Sequence, residues 1–558
     1  MKLSEISYQR VTLEEYSRII HAILEEFDQA ESAQQQKEVY LRFIQQTKHY
    51  QTMRALLSIR RSQNSEDTFY QEEEKYYIQH SGQFRILNES MKSRLLHSPY
   101  RKELAELTHP LIFAKLDNAS RIYSEEILPL VKEERLLCQE YSRIMSTAKI
   151  PFRGCEYTIS QMGRFCEDKN RETRREAYAA QGRWIKSTNV EDIFDKLVKI
   201  RDKIAKILGF TSYTEVGYLD MNRVGYSKAD VAKFRKQVKE DLLPVVMELK
   251  KKQAADIGVS EITLIDNTTK FIEGNPQPIG NADYLFEKGR EMYEDMSPET
   301  HQFFHFMLDN ECFDVLSRDN KAPGGYCTSL PEYKLPFIFA NFNGTGTDVD
   351  VLFHECGHAF FDYMNQDIPY PDLQNTFMET SETHAKSMEF FAQGYSKWFF
   401  GDRYQDYEYA HLSKGLDFIP YAVIVDYFQE LVYDNPDDTK EERNARWNRL
   451  IQEYAPYLAA DDVDYYKEGI RWQFQLHIFS APFYYIDYAL SQAVALQFYA
   501  EISKDRNTAW KKYISYIKTS AFMPFEDGVK AVGLRSPFEA GALKEVANVV
   551  LKELFPGN

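Results

Sequence analysis

Cysteine is scarce in this chain. Six occur in 558 residues, at positions 138, 155, 166, 312, 327 and 356, with no Cys-x-x-Cys pair among them. That excludes a disulfide framework and reads as free thiols in a reducing compartment. Glycine (24) and proline (20) are also few, so helix punctuation is rare and helices can run long. No apolar run approaches the roughly 18–20 residues needed to span a bilayer. The first residues, MKLSEISYQRVTLEEYSRIIHAILEEF, hold no apolar stretch followed by a small-residue cleavage site. A soluble, cytoplasmic protein is expected. Positive charge is in deficit too: the formal net charge is -17. Such a chain gains nothing from counterion release on nucleic acid and is not drawn to anionic membranes.

What the chain does have is the apolar and charged content of a globular protein, 43% and 27%, spread over more residues than one hydrophobic core organises. Two domains are expected, with a soft boundary in the punctuated region near 150–200: residues 1–195 as a helical N-terminal region and 196–558 as a catalytic domain. TLEEYSRIIHAILEEF shows the helical pattern: Thr12 as cap, Glu15 three residues on, and Tyr16, Ile19, Ile20, Ile23 and Leu24 as one apolar stripe. QEEEKYYIQH reads as a solvated helix face, and ITLID near 262 as a short strand. The pattern breaks at APGGYCTSLPEYKLPFIFANFNGTGTDVDVLFHECGHAFFDYM. GGYCTSL and LPFIFANF have the β-branched and aromatic content of strands, and NGTGT is a loop from which Thr347 or Asp348 can start a helix. A small sheet therefore runs directly into the helix that follows. The fold class is mainly α.

That helix carries His354-Glu355-Cys356-Gly357-His358. Residues i and i+4 lie one turn apart on the same face, so both imidazoles can reach one metal ion, and Glu355 between them can act as a base toward water. His301 and His305 share the i, i+4 spacing, but Gln302 supplies no carboxylate, so that pair reads as structural. The residues around His354 are apolar, and two His and a Glu on a mostly buried helix need partners that a metal would supply. Gly357 leaves room beside the metal for backbone or substrate. Cys356 points away as a small buried residue. A catalytic zinc takes three protein ligands and keeps one position open. The third ligand lies among Glu379, Glu382, His384 and Glu389 in FMETSETHAKSMEFF, and spacing does not choose between them.

HECGH, preceded by KAPGGYC and FANFNGT and followed by ETHAKSMEF, resembles the thimet-oligopeptidase-like zinc metallopeptidases, within them the oligoendopeptidase F and Pz-peptidase branch. The likeness takes in TISQMGRFCEDKNRETRREAYAAQ, HIFSAPFYYIDYALSQAVAL and GVKAVGLRSPFEAGAL, roughly residues 150 to 558. It implies a two-lobed helical body with a deep substrate channel and a small β-sheet beside the zinc helix. It selects Glu382 as third ligand of one zinc ion per chain, with Glu389 behind the ligands, although Ala385 stands where the family usually has Ser. It places His477 and the tyrosines 484, 485 and 488 toward the substrate carbonyl. The residues fit, since Ser480 can cap and Pro482 suits a first helical turn, which puts Tyr484 and Tyr485 within one turn of Tyr488. Gly324, Gly325 and Tyr326 would belong to a strand along which substrate adds.

The implied activity is internal cleavage of short oligopeptides, extending to collagen-derived Pro- and Gly-containing ones, in a channel that excludes folded proteins. Glu355 is the base, and Tyr488 with His477 stabilises the oxyanion. The alternatives are an exo-acting zinc peptidase of the dipeptidyl carboxypeptidase type and a non-catalytic helical peptide-binding protein. In the latter a fourth protein ligand such as His384 would close the site. A monomer is the simpler reading of the oligomeric state.

Overall fold

A computed structural model describes residues 1–458 and 463–555. The chain forms two compact units, each assembled from three separate stretches: Met1–Ser120, Gln277–Gln405 and Glu501–Leu534 in the first, and Arg121–Pro276, Asp406–Ala500 and Arg535–Asn558 in the second. Both are mostly helical, as the scarcity of glycine and proline predicts.

The first unit begins with three packed helices, Leu13–Gln29, Ala33–Gln63 and Thr68–His97. Thr12 caps the first by accepting from the Glu15 N–H, and Tyr16, Ile20, Ile23 and Leu24 are buried, while Ile19 of the expected stripe stays half-buried at its edge. The expected solvated face of QEEEKYYIQH is corrected at two positions. Tyr77 is buried, and so is Glu73, whose carboxylate takes hydrogen bonds from Arg10 and from the Tyr8 hydroxyl at 2.7 Å. A charge run on a helix goes inside when a distant segment brings it a cation.

The small sheet lies in this unit. Its strands β3 (Phe313–Leu316), β4 (Tyr326–Leu330) and β5 (Leu335–Phe342) are ordered β3-β5-β4, with β5 parallel to β3 and antiparallel to β4. β5 is central and its run from Leu335 to Ala340 is buried throughout, which is why it reads as continuously apolar. β4 is an edge.

In the second unit, Ile150–Phe152 (β1) and Cys155–Tyr157 (β2) form a hairpin. Arg153 and Gly154, both at positive φ, make its two-residue turn. The strand expected at ITLID is instead a 3-10 turn, Leu264–Asp266. Asp266 is fully buried there and accepts from Arg171, Arg174 and Thr263, so side-chain pairing, not β-propensity, sets the backbone. The helix Lys228–Gln237 continues through a π turn, Val238–Leu242, into Leu243–Ile257. The wide turn absorbs Pro244, which cannot donate to an α-helical ladder.

Candidate active site

β5 ends at Phe342 and the chain enters the helix Gly346–Met364 with Thr345 as its cap, slightly earlier than Thr347 or Asp348. Asp348 fixes the entry. One carboxylate oxygen accepts the N–H groups of Asn343, Gly344 and Thr345 at 2.8, 2.6 and 3.0 Å. The positive end of the helix favours that charge. Along the helix Leu352, Phe353, Cys356, Gly357 and Ala359 are buried, whereas Val351, His354, Glu355 and His358 keep partial exposure. The spacing of the latter is that of one helical face, so the two imidazoles and the carboxylate share the only accessible stripe of this stretch.

Behind it packs the helix Met378–Gln393. A Cβ at Gly357 would stand 2.5 Å from the Cα of Ala385 and 3.1 Å from the carbonyl oxygen of His384. Gly357 therefore serves the approach of one helix backbone to the other, and the small Ala385 lies at the point of contact. The room lies between the helices, not beside the metal position. Gly357→Ala tests this. Helix propensity alone would stabilise the variant by ~1 kcal/mol, but overpacking against backbone costs about 1–3 kcal/mol. The expected result is a lower melting temperature and weaker metal retention, measured by thermal unfolding and metal analysis. An unchanged or raised melting temperature would show that the helices can part freely.

The close approach brings His354, His358 and Glu382 together, with one donor atom from each lying within 4.8 Å of the others. Both imidazoles are oriented from behind. His354 Nδ1 is 2.7 Å from Glu389 Oε1, and His358 Nδ1 is 3.2 Å from Ser381 Oγ. With each Nδ1 so engaged, the Nε2 atoms are the ones offered to a metal. His354 Nε2 already lies 3.5 Å from Glu382 Oε2. The electrostatics agree. Burial lowers the His354 pKa, but the hydrogen bonds to Glu382 and Glu389 outweigh it and hold the imidazole well above its usual range. His358 is pushed down by burial and by its positive neighbour. Burial raises Glu382, but the bond to His354 carries it below the ordinary carboxylate range. The group is thus a half-buried cradle whose carboxylates suit a cation. Two imidazole nitrogens and one carboxylate oxygen are a donor set suited to zinc.

Glu355 is not part of this donor set. Burial raises its carboxyl, and the backbone of Cys327 in the edge strand β4 works against that rise. Gly324, just before β4, has φ +97°, and its carbonyl is held by Asn341 Nδ2 at 2.8 Å. Gly325 lies close over the carbonyl of Phe339, and the Tyr326 ring stacks on the Phe339 ring at 5.0 Å.

Four other side chains have clear surroundings. His384 is fully buried, stacked on Phe361 with centroids 4.3 Å apart, and its Nε2 lies 2.9 Å from Ser520 Oγ, so it turns away from the triad. Cys356 is buried beside Tyr293. His301 and His305 both meet Glu294, one at its carbonyl and the other at its carboxylate. Ser381 escaped the sequence reading because one hydroxyl beside Glu382 has no periodic signature.

His477 and the tyrosines belong to the second unit. His477 lies in the short helix Leu476–Ser480, its ring 5.6, 5.0 and 5.9 Å from those of Tyr484, Tyr485 and Tyr488. Gln475 ties the group together: its Nε2 is 3.0 Å from His477 Nδ1, and its Oε1 accepts from the Tyr421 hydroxyl at 2.9 Å. The expected cap at Ser480 and first turn at Pro482 are corrected. Ser480 Oγ donates back to the Leu476 carbonyl, and the next helix, Tyr485–Lys504, starts after Phe483, whose φ of +66° breaks the helical path.

His354, His358 and Glu382, with Glu355 on the same helix face, make a candidate metallopeptidase site in the first unit. Residues 3–123 match the peptidase M3 N-terminal domain and residues 298–548 match peptidase family M3. Pz peptidase A, solved with an inhibitor, is similar over 100% of both chains, with 36% identity and a TM-score of 0.92. Two structures assigned to oligoendopeptidase F are similar as well. One has 37% identity and a TM-score of 0.91 over 99% of this chain and 98% of its own. The other, from Bacillus anthracis str. Ames, has 36% identity and a TM-score of 0.86 over 100% and 98%. No curated protein matches. The chain belongs to peptidase family M3, on the oligoendopeptidase F and Pz-peptidase branch, and is a metallo-oligopeptidase. No helix among the described residues is long and apolar enough to cross a membrane.

Proposed function

We propose that this chain is a zinc endopeptidase that hydrolyses internal bonds of short peptides, including collagen-derived sequences rich in Pro and Gly. One observation carries the reading: His354, His358 and Glu382 converge on one point while Glu355 shares the accessible face of the same helix and stays outside the donor set. A structural metal site would have no use for a base there. The buried, turned-away His384 argues against the closed four-ligand arrangement of a non-catalytic protein.

His354, His358 and Glu382 would hold the metal, with Glu389 and Ser381 fixing the rings. Bound there, zinc would supply Lewis acidity toward the scissile carbonyl and toward water near neutral pH. Glu355 takes the proton of the attacking water and returns it to the leaving amine. Tyr488 and His477 donate to the oxyanion, with Tyr484 and Tyr485 meeting the substrate around it. The edge strand β4, with Gly324, Gly325 and Tyr326, offers backbone groups to an extended peptide. Every residue in this scheme falls within 196–558.

The test is metal content measured beside hydrolysis of an internally quenched peptide blocked at both ends, with products identified by mass. We expect about one zinc per chain, internal cleavage, loss of activity on chelation with return on adding zinc, and no cleavage of a folded protein. Release of dipeptides only from free ends would replace the endopeptidase reading with an exo-acting one. A protein with no bound metal and no hydrolysis would remove both.

A further inference from the structure

The tyrosines follow a turn that local preference does not favour. Phe483 has φ +66°, a region that bulky L-residues rarely enter and hold only where their surroundings impose it. Two buried side chains impose it here. The Phe483 N–H donates to Gln429 Oε1 at 3.0 Å, and its carbonyl accepts from Arg223 Nη2. The same Arg223 nitrogen lies 2.7 Å from Oδ1 of Asp487, in the first turn of the tyrosine helix. Arg223, Gln429 and Asp487 have essentially no exposure. The Phe483 ring in turn occupies space that exists because residue 217 is glycine: a Cβ there would stand 2.4 Å from Phe483 Cδ2.

This turn separates His477 from Tyr485 and Tyr488, so its backbone sets how those rings face one another. We propose that Arg223 and Gln429 are positioning residues for catalysis: by locking Phe483 in the left-handed region and gripping Asp487, they set the place of the Tyr488 hydroxyl for the oxyanion. The inference rests on the role assigned to Tyr488 above. A side chain that merely stabilised the second unit would alter its melting temperature without altering turnover per folded molecule. A positioning residue lowers kcat with KM unchanged, because the misplaced donor acts only in the transition state.

The experiment compares Arg223→Lys, Gln429→Leu and Gly217→Ala, each alone and combined with Tyr488→Phe. It measures kcat, KM, bound metal and melting temperature, with kinetics run well below each variant's unfolding. Tyr488→Phe is expected to lose about 10²-fold or more in kcat, as for removal of an oxyanion donor. The three turn variants should each lose about 10-fold or more in kcat with KM and metal content near wild type, and add little to Tyr488→Phe, since residues acting as a unit are not additive. Arg223→Lys keeps the charge but not the fork; should it fail to fold, Gln429→Leu and Gly217→Ala carry the test. Wild-type kcat in the turn variants beside a crippled Tyr488→Phe overturns the positioning inference and leaves the oxyanion role standing. Full additivity overturns it as well. An unaffected Tyr488→Phe removes the oxyanion role itself and the inference with it.

Discussion

Glu355→Gln is expected to lose about 10²–10⁴-fold in kcat, the usual contribution of a positioned general base, while retaining its metal. At 1.36 kcal/mol per decade this is roughly 3–5 kcal/mol of transition-state stabilisation. The expectation rests on the division of labour on one helix face. His354 and His358 belong to the donor cluster with Glu382, and Glu355, between them in sequence, does not. Glutamine matches glutamate in shape and keeps an oxygen that accepts hydrogen bonds. What it removes is the ability to take a proton. Kinetics beside metal analysis separate the outcomes. A variant that keeps metal and loses turnover fits a base. A variant that loses both would place Glu355 among the ligands, and full turnover would mean that another group takes the proton.

The second large effect is expected at Glu382. Glu382→Ala leaves two imidazoles facing a gap, and its carboxylate is what holds the anionic character of the cradle. We expect the purified variant to lose its metal on dialysis and its activity with it. Its melting temperature should no longer fall on chelation, because a metal that binds only the folded state stabilises it. Glu389→Gln should be milder, about 10–100-fold in metal affinity, since Glu389 acts on the metal only through His354. His384→Gln, although only two residues from Glu382, should retain metal, because that ring packs on Phe361 and bonds to Ser520. Retention of metal by Glu382→Ala would move the third ligand elsewhere.

The legible part of the site was local. His354 and His358 at i, i+4 must share a helix face whatever the rest of the chain does, and the cap at Thr12 and the strand at LPFIFANF followed from the same short-range rules. The third ligand was not legible from spacing: Glu379, Glu382, His384 and Glu389 all stood in reach on paper, and the resemblance singled out Glu382. The structure then shows how the helix divides them. Its face toward His354 and His358 carries Glu382, Glu389 and Ser381, and the opposite side turns His384 to the core. The misreadings share one cause. Glu73 looked solvated, ITLID looked like a strand and Pro482 looked like a helix start because Arg10, Arg171, Arg174 and Arg223, which overrule those local preferences, lie 63 to 260 residues away in sequence.

The sequence by itself determined the helical class, the paired histidines with the glutamate between them, and the apolar strand that feeds the helix bearing them, since each is fixed by the period of one element. Tertiary structure alone decided how the Glu382 carboxylate is carried to the imidazoles, why residue 357 must be glycine, and how Phe483 is bent between His477 and the tyrosines. Those depend on distances between backbones far apart in sequence. A contact of 2.5 Å at Gly357 or a carbonyl held by Arg223 is a property of packing, which no periodicity records.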